Sequence, residues 1–403
     1  MGTPTLARTI LPTLHAHTTV VAHLAFDTTG RTLVSGGGDG KVRLWRLPPG
    51  LAVLGGGQPA DAVALSGDGK LLAAASSLYV SLFDLSDPTR LVYIGGLVRF
   101  RGGVNTLAFS TVPGGSPLLA TGDSSGDVRL WDLSAPARPA EIGTALPGQT
   151  KPVSALAFDA GGKTLFAASM SLDGGSTGGL RAWNVAEPAR PAALGGGELD
   201  REQLASKGLA ARSGRVYASE PYGDVRVWRT GEGTGPELVG RPLGAQTVMS
   251  LDVHPRSALV ATAGADSRVR LWDVSRPAAP KAVGDPLLTG GAGWSVGFSP
   301  DGATLASGNG IGQVRLWNTS DPARATAYGL PLTGHTYAVR ALRFSPRGGV
   351  LVTAGQDGTV RLWQTDPAAA KASLCASTRS AMTADVWKEF VSPALPYDPP
   401  CGA

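Results

Sequence analysis

An all-β chain made of repeated four-stranded units is what this sequence predicts, and three observations carry that prediction. Eight strand-like endings recur in phase: VRLW at Trp45, VSLF at Phe83, VRLW at Trp131, LRAW at Trp183, VRVW at Trp228, and VRLW at Trp272, Trp317 and Trp363. Their spacing is 38 to 52 residues, mostly 44 to 46, the period of four-stranded propeller blades and too long for most helical repeats. Finally, 56 glycines and 30 prolines punctuate a chain of 403 residues in which charged residues are sparse, a mix that suits short strands joined by tight turns.

Each unit repeats one internal order. An alternating apolar strand comes first, such as AVRALRF (338–344) or VNTLAF (104–109), and it ends on a Phe. A turn of the Ser-Pro-Asp-Gly kind follows, as in SPDG (299–302) and DAGG (159–162), then a second strand such as TLASG (304–308), a Gly-rich turn and the anchor strand. Period-two alternation with Gly and Pro between the runs is a strand-and-hairpin signal, and nothing before the tail has a helical period. After the anchor a Pro-bearing connection recurs, for example SAPARP (134–139) and SRPAAP (275–280), leading to a less regular fourth strand such as ATAYGLPL (325–332). Proline is tolerated there because an outermost strand leaves one side unpaired. The second unit, with Phe83 in place of Trp, and the fifth, around EQLASKGLAARSG, depart most from the pattern.

The last unit runs from His335 to Trp363 and enters a Pro/Ala segment without a fourth strand of its own, while LARTILPTL (6–14) precedes the first unit. Residues 1–16 are therefore expected to supply a closing strand to the last blade, residues 17–366 the repeats, and residues 367–403 a tail. Closure of this kind removes open sheet edges. In the tail, SAMTADVWKEFV (380–391) spaces Met382, Val386 and Phe390 four apart beside Trp387, which predicts one short amphipathic helix.

These residues resemble the WD-repeat (WD40) family over roughly residues 5 to 366. The resemblance implies a β-propeller, eight-bladed with seven blades as the alternative, whose N-terminal strand closes the last blade. It further implies a hydrogen-bonded tetrad within a blade, from His before the first strand, Ser or Thr on the second, Asp in the next turn and Trp on the third. Two units match fully, with His335, Thr353, Asp357 and Trp363 in one and His17, Ser35, Asp39 and Trp45 in the other. The sixth keeps Thr262, Asp266 and Trp272, with Gln246 near the His position. Partner contacts in the family lie on one face, after the apolar start of each first strand and before the turn Asp. By position these are Asn105, Met249, Trp294 and Arg340, with Asp61 and Gln356; Trp and Arg dominate interface hot spots. Similar Cys-helix-Pro-Tyr-Pro-Cys tails follow bacterial WD-repeat regions. Such regions form the sensor or scaffold half of signalling proteins that carry an NTPase or kinase module, so that module is the partner class implied.

Residues with apparent chemistry read as structure. The His/Asp sets suggest a nucleophilic triad, but a satisfied polar network that stiffens a blade accounts for them. GGGDGKV (36–42) and AGGKT (160–164) lack the glycine spacing and strand-to-helix context of a phosphate loop, and they lie at predicted hairpin turns. His15 and His17 have no third ligand at zinc-like spacing, so no metal and no cofactor is expected. Seven arginines two before the anchor, from Arg43 to Arg361, are a repeat-encoded feature whose stems pack between blades. A net charge of +5 is mild, and no basic cluster marks a nucleic-acid binder.

The reading is a non-catalytic, monomeric platform for protein or peptide partners. Two alternatives stand beside it, a propeller enzyme of hydrolase or lyase type and a binder of acidic polymers. No apolar run reaches a membrane span and the N-terminus lacks a signal-peptide core, so a cytoplasmic chain is expected. Cys375 and Cys401 leave open one disulfide in the tail, with an exported face, against two free thiols.

Overall fold

The computed structural model describes the backbone strands at 21–26, 32–37, 42–46 and 51–53, and residues 59–87, 91–97, 100–110, 116–146, 151–169, 179–198, 208–219, 225–231, 234–243 and 248–366. Seven four-stranded antiparallel sheets form blades I to VII. Their inner strands are Ala62–Leu65, Val104–Phe109, Val153–Phe158, Leu209–Arg212, Val248–Val253, Gly293–Phe298 and Val339–Phe344. Each inner strand packs against the next, and that of blade VII packs against that of blade I, which closes the ring.

The core is divided accordingly. One apolar cluster lies at each blade–blade interface, and the one between VII and I joins Val63, Leu72, Phe83 and Leu85 to Val350, Val352, Ala354 and Val360. Second strands are sandwiched between neighbouring blades, and Leu118–Asp123, Leu259–Gly264 and Val350–Gly355 are buried at every residue. Small residues at the ends of these strands let the next blade approach. A Cβ on Gly122 would sit 2.5 Å from Val153 Cγ1, and one on Gly308 2.7 Å from Val339 Cβ, distances that exclude any side chain there.

The ring therefore has seven blades, not eight. The first repeat forms a further three-stranded sheet, Val21–Phe26, Thr32–Gly37 and Val42–Arg46. The fourth strand of blade VII is Leu51–Val53, which pairs Val53, Ala52 and Leu51 with Thr359, Val360 and Arg361. A segment preceding blade I thus completes blade VII, as the missing fourth strand required, but it comes from the end of the first repeat. Residues 6–14, expected in that place, lie outside the described residues, as do the tail helix, Cys375 and Cys401. Consequently the neighbour of blade VII across the closure is blade I, not the first repeat. Two bonds reinforce that contact: Ala60 N–H donates to the Gly355 carbonyl at 3.0 Å, and Arg347 Nε to the Asp68 carbonyl at 2.7 Å.

The two irregular units fold as blades by shortening a turn. In blade I, Ser77 (φ 51°) and Leu78 link the second and third strands; in blade IV, Ser213 (φ 51°) and Gly214 (φ 69°) link the inner and second strands. Positive φ at the first turn residue in blade I, and at both turn residues in blade IV, is the tight-hairpin conformation. Among the described residues the single helical element is the one-turn 3-10 segment Pro322–Arg324, capped by Asp321.

Candidate functional site

The inner strands do not run straight into the face at which they begin, called here the top. In five blades the register with the second strand slips by one residue just inside that face, leaving Asn105, Ser154, Met249, Trp294 and Arg340 as the extra residue. A β-bulge re-aims the side chain it adds. Four of the five are positions singled out by sequence; Ser154 was missed because Ser carries no interface signal. The bulges differ in what remains free. Asn105 Nδ2 donates to the Val153 carbonyl at 3.1 Å and Ser154 Oγ to the Ala168 carbonyl at 3.1 Å, so both are consumed in holding strands together. Met249 is half-buried and apolar.

Trp294 and Arg340, on adjacent blades, come together. The Arg340 guanidinium carbon lies 4.4 Å from the centroid of the Trp294 ring, within the range of a cation–π stack. Arg340 Nε is buried with no hydrogen-bond acceptor, and among the described residues no carboxylate forms an ion pair with Arg340. The turn after the second strand of blade VI, at 309–313, lies between this pair and the loop entering blade VII. A Cβ at Gly310 would be 3.1 Å from Trp294 Nε1, and one at Gly312 would strike the His335 carbonyl. The turn carries Ile311 at 60% exposure, and the loop carries Tyr337 at 57%. Gln356 is exposed on the same edge, its N–H donating to the Ala338 carbonyl at 2.8 Å. Asp61 is half-buried beside Ala60, at the I–VII contact.

Beneath this surface lies the blade VII tetrad. Trp363 Nε1 donates to Thr353 Oγ1 at 2.8 Å, His335 Nε2 is 2.7 Å from the same oxygen, and His335 Nδ1 is 3.0 Å from Asp357 Oδ2. One chain of donors satisfies every atom: Trp363 N–H to Thr353, the Thr353 hydroxyl to Nε2, and Nδ1–H to Asp357. The carboxylate also accepts from Thr336 N, Thr359 N and Thr359 Oγ1 at 3.0, 3.0 and 2.7 Å. Burial alone would raise the Asp357 pKa, but the bonds from His335, Thr359 and Thr336 hold it below the ordinary carboxylate value. The side chains of His335 and Asp357 are 0% accessible, so no substrate atom reaches the imidazole. The arrangement is a brace, not a nucleophilic triad.

Other blades keep the Trp bond and change the rest. Trp131, Trp272 and Trp317 donate to Thr121, Thr262 and Ser307 at 2.9 to 3.0 Å. In blade II, Phe100 takes the place of the histidine against Trp131, with centroids 5.8 Å apart, and Asp123 caps the turn by accepting from Ser125 N and Asp127 N. Asn309 does the same in blade VI through Ile311 N and Gln313 N. Gln246 and the side chains of His17, Ser35, Asp39 and Trp45 lie outside the described residues. The backbone nevertheless pairs Ser35 with Arg43 and Leu33 with Trp45, the register in which Thr353 faces Arg361 and Leu351 faces Trp363.

Two of the third-strand arginines are tied down by carboxylates. Arg129 is bonded to Asp127 and Glu141, and Arg270 to Asp266 at 2.6 Å. AGGKT (160–164) is a hairpin turn in which Asp159 Oδ1 accepts from Lys163 N and Thr164 N, as the sequence predicts. Among the described residues no group of three His, Cys, Asp or Glu side chains could hold a metal ion, and no helix is long and apolar enough to cross a membrane.

The architecture and the tetrad define an all-β WD40 β-propeller. Residues 8–46, 238–273 and 329–364 match the family model described as WD domain, G-beta repeat; they cover the first repeat and the first three strands of blades V and VII. Among curated proteins, the chain is similar to the Target of rapamycin complex subunit wat1 of Schizosaccharomyces pombe, 24% identical over 255 residues, spanning 60% of this chain and 73% of that protein. It is also similar to the mouse WD repeat and HMG-box DNA-binding protein 1, 24% identical over 273 residues, spanning 65% of this chain but 23% of that protein.

Proposed function

We propose that this chain is a non-catalytic interaction scaffold or sensor platform that holds protein or peptide partners on the top face of the propeller, centred on blades VI and VII. The observation that carries the reading is the stack of Arg340 on Trp294 beside exposed Ile311 and Tyr337. Aromatic and arginine side chains grouped on a rigid surface form the composition of an interface hot spot. Here they sit on strand ends braced by a buried network, so binding would require little reordering of the scaffold. The wat1 relative is named as a subunit of a complex, which fits a role in assembly. An NTPase or kinase signalling module remains the proposed partner class, met by a cytoplasmic monomer. Met249 and Gln356 would flank the contact, and Asp61 would border it at the I–VII side.

The acidic-polymer reading is disfavoured because Arg129 and Arg270 already face carboxylates. A hydrolase or lyase reading is disfavoured because the His335–Asp357 pair is sealed. The test is selection of a displayed random-peptide library on the wild-type chain and on a Trp294→Ala/Arg340→Ala variant. Clones enriched on the wild type and absent from the variant support the proposal. Equal enrichment on both, or none on either, removes it.

A further inference from the structure

Resting on that reading, we infer that the site takes a peptide segment presenting a carboxylate side chain next to a bulky apolar residue. The carboxylate would face Arg340, and the apolar group would lie over Ile311 and Tyr337. Charge complementarity supports the first half. Four arginines of the ring, Arg129, Arg229, Arg268 and Arg270, are each ion-paired to an acid of their own blade. Arg340 is instead held flat on an aromatic face, with Nε buried and without an acceptor. The stack fixes the plane of the guanidinium and so fixes the direction in which its remaining N–H groups can bond. A guanidinium so pre-organised is matched by a planar two-oxygen acceptor, which a carboxylate supplies and a lone carbonyl or hydroxyl does not. Burial of one side by indole strengthens the pairing, because the ion pair is then partly shielded from water.

The second half comes from the turn at 309–313. Its tip reads Gly-Ile-Gly, and the isoleucine between two glycines at the end of the hairpin is left mostly exposed. At 60% exposure, with Tyr337 at 57% on the facing loop, it presents apolar surface next to the cation. Gly312 (φ 83°) can carry no side chain, because a Cβ there would lie 2.3 Å from the His335 carbonyl. The turn is therefore pressed against the blade VII loop, and Ile311 is held in register with Tyr337. Backbone-rigid apolar groups adjoining an unpaired cation select for a two-part ligand, acidic and then apolar. Among the described inner-strand bulges no other supplies both parts. Asn105 and Ser154 are consumed by internal bonds, and Met249 brings no charge.

The test uses four fluorescein-labelled synthetic 11-residue peptides on a common Gly/Ser frame, with Glu-Leu, Gln-Leu, Glu-Gly or Gln-Gly at the centre. Their binding to the full chain is followed by fluorescence anisotropy. The Glu-Leu peptide is expected to bind about tenfold tighter than Gln-Leu, the loss of one charge-assisted pairing. Arg340→Gln should remove that difference without weakening the Gln-Leu peptide, and Ile311→Ser should remove the advantage of Leu over Gly. Equal affinity for Glu-Leu and Gln-Leu, failure of all four peptides to bind, or an acid preference that survives Arg340→Gln would each overturn the inference. Library selection that enriches neutral peptides dependent on Trp294 would leave the scaffold reading standing while this inference fell.

Discussion

Replacing His335 by alanine isolates what the tetrad does. The imidazole bridges Thr353 and Asp357 through contacts of 2.7 and 3.0 Å and lies 6.4 Å, ring to ring, from Trp363. Its removal leaves the Thr353 hydroxyl without its acceptor and takes one of four donors from the buried Asp357 carboxylate. Thr353 keeps the bond from Trp363, and Asp357 keeps those from Thr336 and Thr359, so neither group is stranded outright. An unmade bond at a buried polar group costs about 1–3 kcal/mol, and the surviving bonds place the total within that same span. The measurement is urea unfolding followed by tryptophan fluorescence. A lower midpoint at unchanged slope reports lost stability, not a changed unfolded state. His335→Asn, whose amide can reproduce the donor toward Asp357, should recover part of the loss. Peptide binding at the top face should be unaffected at temperatures where the variant is folded. A loss below about 0.5 kcal/mol, the ordinary scatter of surface substitutions, would refute the brace.

Three further outcomes follow from the same geometry. The folded-state pKa of Asp357 is depressed below that of the unfolded chain, so its contribution is fully present above the unfolded carboxylate value of about 3.9 and is lost as pH falls through the lower folded value. Asp357→Asn should therefore be less stable than wild type at pH 7, with the gap narrowing below about pH 4 in urea titrations run at each pH. Asp123 is the reverse case. Burial raises its pKa, and Oδ2 has no partner, while Asn309 occupies the equivalent place in blade VI and donates through Nδ2 to the Thr289 carbonyl. Asp123→Asn should leave stability unchanged or raise it by up to about 1 kcal/mol at pH 7, and a loss beyond 1 kcal/mol by the same unfolding assay would contradict the comparison. Gly302 has φ 76°, and a Cβ there would lie 2.0 Å from the His254 ring; Gly302→Ala should lower stability by about 1–3 kcal/mol in the same urea assay.

Much of this was legible in the chain. The anchor strands set the repeat, and the register that places Thr353 ten residues before Trp363 recurs with Thr121, Thr262 and Ser307, because each partner is a side-chain bond written into the repeat. The positions of Trp294 and Arg340 were readable through the family resemblance, and the structure places both at a bulge of constant offset from the apolar start of the inner strand. Blade closure was readable only as a need. Leu51–Val53 pairs through backbone groups and has no side-chain signature, and the three strands of the first repeat look like those of any ring blade, so the count of seven required the packing of Val63 and Phe83 against Val350 and Val352. Asp123 was missed as a turn cap because the polar group moved along the chain once Phe100 replaced the histidine. Ile311 carried a signal that was passed over, an isoleucine between glycines where a polar turn residue is usual.

On the proposed reading, the Trp294–Arg340 surface serves binding and does not hold blades together. Trp294→Ala tests it when thermal unfolding and binding of the top library-selected peptide are measured on the same preparation. Binding is expected to fall at least about tenfold, the scale of a hot-spot residue, with a melting temperature within a degree or two of wild type. A melting temperature several degrees lower with the peptide still bound would make Trp294 a packing residue, and the proposed face would be wrong.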